Sequence, residues 1–430
     1  MNGVIQCRIF KRTLNVGTTL IVSAFLLAAC DRSAPKVTGP LRQRGYLWQR
    51  DWTPAVIDAV VTAQHRLGGI VLLGGEIDWI EKRPSLISTN VDWEMLRSRQ
   101  IQCGLALRIA PFAVAPGQDD NNTRFVIDAA HSLVDIAASH GVVLSEFQID
   151  FDCPQKNLAA YRVWLRALRQ ALHPVRLVLT TLPAWLDDPE FVPLVREADG
   201  YVLQVHSVPI SDANDRRNLC DARSARTWVK RAAHLGIPFS VALPTYRCAA
   251  GYDPSGELLS VAMDSVQPAW PAGTRVLEFE TNADDMAMLV KEWQQARPPQ
   301  LQEIIWYRLP VATDVRNWRW TTLSAVMSGR KPLHRLEVLQ QGENPIDLSI
   351  VNTGEAEEEL DSAVTAIWNS AATVTADALT GWTVDITHGQ AIFRNTNGHQ
   401  MRLAPGGKRQ IGWLRYEQPV TLQLKLARNE

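Results

Sequence analysis

One pattern repeats eight times between residues 45 and 307: a short apolar run, a loop and then a helical stretch. The eight runs are 45–48, 69–73, 103–108, 146–152, 176–181, 200–206, 238–243 and 303–307. Continuous apolar strands that alternate with helices indicate a parallel sheet that helices cover on its outer side. Eight such units in about 290 residues favour a closed α/β TIM-type (β/α)8 barrel over residues 44–331.

The stretches between the runs have the spacing of amphipathic helices. In Leu158–Leu172, leucine and tyrosine side chains recur at steps of three and four residues, which places them on one helical face. Similar helices are predicted over 54–67, 123–140, 223–235 and 283–295. No glycine-rich GxGxxG motif follows the first run, so a dinucleotide-binding fold is disfavoured and no cofactor is expected.

After Lys331 the pattern changes to a period of two. Residues 346–350 and 420–426 alternate between apolar and polar side chains, which is typical of strands with one buried face. This pattern predicts a small antiparallel β-sandwich over residues 335–430. The long stretch 247–281 after the seventh run is predicted to be an insertion in the barrel that carries a hairpin of its own.

The amino terminus has the features of a secretory signal. Basic residues precede an uncharged apolar run over 16–29, which is too short for a comfortable membrane span. The run ends in Leu27-Ala28-Ala29-Cys30, which resembles the lipobox of bacterial lipoproteins. That resemblance implies cleavage of residues 1–29, palmitate or a similar acyl chain on Cys30, and a tether over 30–43. An uncleaved anchor and a plain secretory signal are the alternatives.

The lipobox resemblance also implies a location. The mature chain is expected to face the periplasm from the cell envelope, held at the membrane by the acyl chains on Cys30. Asp31 follows that cysteine, as in the inner-membrane retention signal of enteric bacteria. The net charge of the full sequence is −1, which gives no electrostatic argument for a nucleic-acid partner.

Four cysteines remain after Cys7 leaves with the signal and Cys30 is acylated. No CxxC spacing occurs among them, so no metal site is expected. Cys220 and Cys248 follow the sixth and seventh runs on the same face of the barrel, where a disulfide is expected in an oxidising compartment. Cys153 has no adjacent histidine and is interpreted as an inert thiol.

Polar side chains concentrate on the fourth run. Gln148, Asp150 and Asp152 alternate with apolar residues, so all three share the inner face of the barrel. Burying three polar groups is costly unless they have hydrogen-bond or ion-pair partners or take part in binding or catalysis. Two carboxylates at this spacing repel each other, which separates their pKa values and suits acid–base chemistry. A buried polar network between strands is the alternative.

The segment Gln148-Ile149-Asp150-Phe151-Asp152 resembles the fourth-strand DxxDxDxE motif of family-18 chitinases. Asp150 and Asp152 fall on its second and third aspartates, whereas Phe147 occupies the first aspartate position and Pro154 the position of the catalytic glutamate. A proline cannot donate a proton, so the mechanism of that family does not carry over whole.

A second resemblance covers nearly the whole barrel. The chain is similar to domain-of-unknown-function family 3142, bacterial lipoproteins with a glycosidase-like barrel. The short motifs that carry this resemblance are Leu47-Trp48-Gln49-Arg50, Gln148–Pro154, Thr181–Leu186, Gln204-Val205-His206 and Ala242–Tyr246. It implies a fold and does not identify a substrate.

The missing acid must come from another strand. Glu76 follows Gly74-Gly75 at the end of the second run, and we take it as the candidate general acid with Asp152 as nucleophile or base and Asp150 beside it. The alternative is an ion pair of Glu76 with Arg50 or Arg108 that only locks the rim. A further set of polar and aromatic side chains near strand ends is expected to contact the ligand. It consists of Arg50, Arg108, Gln148, Gln204, His206, Tyr246, Trp48, Trp185 and Trp306.

Taken together, these features favour a glycoside-hydrolase-like envelope lipoprotein that acts on a polysaccharide. Two alternatives stay open. One is a non-catalytic glycan-binding or assembly lipoprotein that kept the barrel and lost the acid, as Pro154 indicates. The other makes the β-sandwich the working part and the barrel its scaffold.

Overall fold

The structure, a computed structural model, describes residues 36–81, 83–110, 121–208, 217–263, 269–369, 372–396 and 401–428. The predicted signal peptide, Cys30 and the tether up to residue 35 lie outside these residues. Residues Val37–Glu430 form one compact unit, which contains both the barrel and the sandwich.

Eight parallel strands close into a barrel, which confirms the predicted fold class. Their order around the barrel is sequential, and the first strand pairs with both the second and the last. The strands are β1 Arg42–Leu47, β2 Ile70–Ile80, β4 Cys103–Ile109, β5 Phe147–Phe151, β6 Leu177–Thr181, β7 Gly200–Gln204, β8 Phe239–Pro244 and β12 Leu301–Tyr307.

Helices cover the outside of the barrel. They are α1 Pro54–Arg66, α2 Trp93–Ser98, α3 Asn121–Ser139, α4 Leu158–Leu172, α5 Phe191–Val195, α6 Ala222–His234, α7 Ala283–Gln295 and α8 Trp320–Met327. Side-chain caps begin three of them, since Asp92 accepts from the Met95 amide, Asp221 from the Ser224 amide and Asn282 from the Asp285 amide. Among the described helices, none is both long and apolar enough to cross a membrane.

The two faces of each barrel strand contact different parts of the molecule. Outward side chains pack under the helices, as where Phe151 of β5 meets Tyr161 and Trp164 of α4 at ring distances of 5.3 and 5.7 Å. Inward side chains form a layer across the barrel, one from each strand. The layer comprises Tyr46, Val71, Ala106, Gln148, Val178, Val202, Ala242 and Ile305. It closes the barrel below its carboxyl-end mouth.

Gln148 belongs to this closing layer, and its predicted contact with a ligand is wrong. The side chain is fully buried. Its amide oxygen accepts from the Tyr46 hydroxyl at 2.7 Å, and its amide nitrogen donates to Glu146 at 2.5 Å. Both ends of the amide are therefore occupied by the barrel interior.

The glycines before Glu76 serve strand packing rather than ligand access. A Cβ added to Gly74 would lie 2.6 Å from Cγ of Leu105, so the close approach of β2 to β4 requires glycine. The register shifts between Leu73 and Gly75, as at a β-bulge. β2 then runs past the barrel and pairs with the antiparallel strand β3 Arg83–Ser88, a hairpin that the sequence pattern did not predict.

The insertion after β8 is a small sheet. It consists of β9 Cys248–Tyr252, β10 Leu258–Ala262 and β11 Arg275–Phe279, with β9 in the middle of an antiparallel arrangement. The predicted hairpin is thus present, with one strand more than expected.

The C-terminal region folds into antiparallel sheets that share a core, as its alternation predicts. One sheet has the order β13-β14-β21-β17 and the other β18-β19-β16-β22, with a separate β15–β20 pair. Their apolar faces form one hydrophobic cluster that includes Leu348, Phe393 and Ile411. The strands are β13 Leu336–Gln341, β14 Ile346–Asn352, β15 Glu358–Glu359, β16 Ser362–Ile367, β17 Val374–Ala378, β18 Trp382–Thr387, β19 Gln390–Asn395, β20 Arg402–Leu403, β21 Lys408–Tyr416 and β22 Gln423–Arg428.

Candidate active site in the barrel mouth

Two aromatic rings, Trp48 and Tyr307, form one side of the barrel mouth above Tyr46 of the closing layer. Trp48 contacts Tyr46 edge-on at a ring distance of 5.4 Å and Tyr307 at 5.2 Å, and Tyr46 lies 5.8 Å from Tyr307. Tyr307 was not among the predicted site residues. The two-residue period of β12, in which Glu303, Ile305 and Tyr307 share a face, was the signal that identifies it.

Asp150 lies half-buried just above the closing layer. Its Oδ1 accepts a hydrogen bond from the Thr180 hydroxyl at 2.8 Å, and it is level with Arg108 in the β4–β5 register. Burial raises the pKa of Asp150, and the charge on Glu76 adds to this, whereas Thr180 and Arg108 oppose it. The carboxyl is held by the barrel wall.

Asp152 follows two residues later on the same face and is exposed at the mouth. The surrounding walls displace enough water to raise its pKa to about 6, a shift to which the nearby Asp150 charge contributes and which Arg108 opposes. Two residues of extended backbone separate the Cα positions of the two aspartates by about 6–7 Å. Asp152 is therefore a solvent-accessible carboxyl that exchanges its proton near neutral pH.

Glu76 is engaged by two arginines. Its Oε2 accepts from Nε of Arg50 at 2.7 Å, and its Oε1 lies 3.8 Å from Nη1 of Arg108. Both oxygens thus face guanidinium groups, which is the arrangement of the rim-locking alternative. The structure places Glu76 and Asp150 on opposite sides of Arg108, two strands apart.

His206 and Tyr246 lie beside Tyr307. The His206 ring stacks on Tyr307 at 5.5 Å and meets Tyr246 edge-on at 5.9 Å. His206 is only 6% exposed, and this burial lowers its pKa to about 4, against the backbone hydrogen bond at Ala242. The imidazole is neutral at physiological pH. Gln204 is half-buried on the same strand end and donates to the His206 carbonyl at 3.4 Å.

Two polar atoms around Tyr307 have no hydrogen-bond partner among the described residues: Nε1 of Trp48 and Nδ1 of His206. A buried donor or acceptor that stays unsatisfied costs about 1–3 kcal/mol, and such atoms are rare in native structures. Both belong to the aromatic side of the mouth.

Two predicted ligand contacts, Trp185 and Trp306, are wrong. Trp185 is 1% exposed and Trp306 is fully buried, and both belong to the core between barrel and helices. Trp306 faces outward because its neighbours Ile305 and Tyr307 take the inner face, and its Nε1 donates to Gln43 at 2.9 Å. Neither ring is available to stack on a ligand.

The predicted disulfide between Cys220 and Cys248 is also wrong. Both are free, buried thiols. Cys220 packs in the main core next to the cap of α6, whereas Cys248 packs with the inserted sheet. Among the described residues, no group of three or more His, Cys, Asp or Glu side chains is arranged to hold a metal ion.

Comparison with solved structures finds chitinases and a spore cortex-lytic enzyme of low sequence identity. Chitinase ChiA74 from Bacillus thuringiensis has a TM-score of 0.44 and 9% identity, covering 90% of this chain and 100% of that chain. The spore cortex-lytic enzyme SleL from Bacillus cereus has a TM-score of 0.49 and 9% identity, covering 69% and 75%. A family GH18 chitinase from Chromobacterium violaceum has a TM-score of 0.40 and 11% identity, covering 91% and 92%.

In the comparison with protein families, the barrel and the sandwich match two different family models. No curated protein matches the sequence. Residues 336–417, within the sandwich, match the family described as domain of unknown function DUF8456. Residues 117–312 of the barrel match the family described as domain of unknown function DUF3142, which confirms the likeness for the motifs from Gln148 onward, whereas Leu47–Arg50 lies outside the match.

Proposed function

We propose that this protein is a glycoside hydrolase of the bacterial cell envelope that cleaves a polysaccharide in the barrel mouth. The observation that carries the proposal is the placement of Asp150 and Asp152 in the mouth, on one strand face, opposite aromatic rings with unsatisfied polar atoms. Carboxyl pairs beside flat apolar rings are typical of sugar-cleaving sites.

The environments of the two aspartates separate their roles. Asp152 reaches solvent and has no ion-pair partner within 4 Å among the described residues, so in this proposal it gives its proton to the leaving oxygen as the glycosidic bond breaks. A water molecule forms the new bond to the anomeric carbon and returns its proton to the Asp152 carboxylate or to solvent. Asp150, held by Thr180, is a positioning residue whose charge keeps a proton on Asp152 to higher pH. Arg108 lies between Asp150 and Glu76 and balances their charge.

The aromatic side of the mouth binds the sugar in this proposal. The exposed part of the Trp48 ring stacks on a sugar face, and its Nε1 donates to a hydroxyl. Neutral His206 offers Nδ1 as an acceptor or, in the other tautomer, a donor. Its low pKa keeps this role unchanged across the physiological range.

The proposal is tested by incubating the mature protein with purified envelope polysaccharides and measuring new reducing ends. We expect release of reducing ends from at least one of them between pH 5 and 7. Binding of glycan without any product across this range would contradict hydrolysis.

Glu76→Gln separates the two roles considered for Glu76. Because both oxygens already face arginines, we expect turnover to stay within about tenfold of the wild type, or 1.4 kcal/mol in the barrier. Reducing-end release measured in parallel for Glu76→Gln and Asp152→Asn gives the comparison. A loss as large in the first variant as in the second would return the acid role to Glu76.

A non-catalytic glycan-binding lipoprotein is the second candidate. Pro154 occupies the motif position of a catalytic glutamate, and its φ of −56° and ψ of 133° lead directly into a 3-10 turn. With Glu76 in ion pairs, no glutamate of the described mouth replaces the missing acid. This candidate predicts the same glycan affinity with no turnover.

The envelope location is proposed from the lipobox alone. We expect Cys30→Ala to abolish incorporation of labelled palmitate and to release the protein from the membrane fraction. Cys7→Ala is the matched control, because it removes a cysteine of the same segment without touching the acylation site. Equal labelling of Cys30→Ala and wild type would contradict the lipid anchor.

A further inference from the structure

A cavity of 510 Å³ lies between the barrel and the sandwich. The barrel contributes the segments that follow β8, β11 and β12, and the sandwich contributes residues next to β15 and β20. Wall residues include Tyr246, Asn317 and Trp318 from the barrel and Glu357, Ala404 and Pro405 from the sandwich. A volume of this size is in the range of small-molecule and saccharide sites.

Ion pairs across the cavity walls hold the two domains in place. Arg402 of the sandwich reaches Glu280 of the barrel at 2.8 Å and Glu359 at 2.6 Å. Arg247 of the barrel lies 3.4 Å from Glu357 of the sandwich. The residues that line the cavity include six carboxylates and four arginines, so its walls offer many donors and acceptors and carry an excess of negative charge. Such walls suit a neutral polyhydroxyl compound better than an anionic one.

The cavity adjoins the barrel mouth through Tyr246. This residue lines the cavity, and its ring contacts Tyr307 at 5.5 Å and His206 at 5.9 Å. The same aromatic cluster contains the unsatisfied Nδ1 of His206. Tyr246 is therefore part of both the aromatic cluster of the mouth and the wall of the cavity.

We propose that the cavity is a second sugar-binding region for the same polymer, so that the substrate is a long, largely neutral glycan rather than a short oligosaccharide. The sandwich then forms one wall of the binding groove. This inference rests on the proposed function of the mouth, and it adds that affinity grows with chain length because of the cavity.

The test measures binding of N-acetylglucosamine oligomers of two and eight residues by calorimetry, a probe chosen because of the fourth-strand motif. The variant Ala404→Trp fills the cavity from the sandwich wall. Ala427→Trp places the same side chain on an exposed strand of the same domain and is the matched control. Val315→Trp, at a position that is 50% exposed on the barrel wall, repeats the block if Ala404→Trp fails to fold.

We expect the wild type and Ala427→Trp to bind the octamer about tenfold more tightly than the dimer, or more. Ala404→Trp should lose this advantage while its dimer affinity stays the same. Unchanged octamer affinity in both blocked variants would overturn the second region and leave the mouth assignment intact. Absence of binding at either length in the wild type, together with no reducing-end release from any of the envelope polysaccharides, would overturn the proposed function itself, and the second region with it.

Discussion

Replacing Asp152 by asparagine is expected to abolish polysaccharide cleavage, with a loss of about 10²–10⁴ in turnover, the usual contribution of a positioned general acid. Asparagine matches aspartate in shape but has no proton to give, so glycan affinity should stay near the wild-type value. The measurement is reducing-end release alongside calorimetric binding. Wild-type turnover in Asp152→Asn would exclude this residue as the acid.

The pH dependence follows from the raised pKa of the same group. The acid acts in its protonated form, so wild-type turnover should fall as pH rises through about 6. The contribution of this carboxyl to folding stability also falls as pH rises. A carboxyl with a pKa above its unfolded value contributes stability at low pH and loses it as pH rises through about 6. Asp152→Asn should therefore fold at least as stably as the wild type at pH 8, which denaturant unfolding checks.

Replacing Trp306 by alanine is expected to cost about 3–5 kcal/mol in the free energy of unfolding, the usual cost of truncating a buried tryptophan. Its ring is fully buried between β12 and the helices, lies 6.4 Å from Trp318 and donates to Gln43. Chemical denaturation measures the loss.

Trp48→Ala is the matched control, because Trp48 is half-buried at the mouth rather than in the core. We expect it to cost less stability than Trp306→Ala and to weaken glycan binding. Reversed effects, with a mild stability loss in Trp306→Ala and a severe one in Trp48→Ala, would contradict the assignment of the two faces of the barrel.

The fold could be predicted because the apolar side chains recur clearly with the helical spacing of three and four residues and with the strand spacing of two. Helices Leu158–Leu172 and Ala283–Gln295 have the predicted bounds, since their apolar faces and ends are unambiguous. The alternation of polar and apolar side chains along β5 likewise predicted that Asp150 and Asp152 share the inner face. The hairpin of β2 and β3 was missed because residues 83–88 carry few buried side chains.

The errors in the site have a common physical origin. The sequence shows that a side chain lies near a strand end but not which face or level it occupies. Gln148 lies one layer too deep, and Trp306 faces outward. Trp185 lies on a 3-10 turn that buries it against Tyr161. The partners of Glu76, Arg50 and Arg108, come from different parts of the barrel. Only the closed barrel shows that they meet.

The most direct test of the central claim is a crystal structure of Asp152→Asn with a bound glycan octamer. We expect the substituted side chain at position 152 to lie within about 3 Å of a glycosidic oxygen. We also expect a sugar to stack on Trp48 and the glycan to continue past Tyr246 toward the sandwich. An octamer bound elsewhere, with the mouth empty, would contradict cleavage in the barrel mouth.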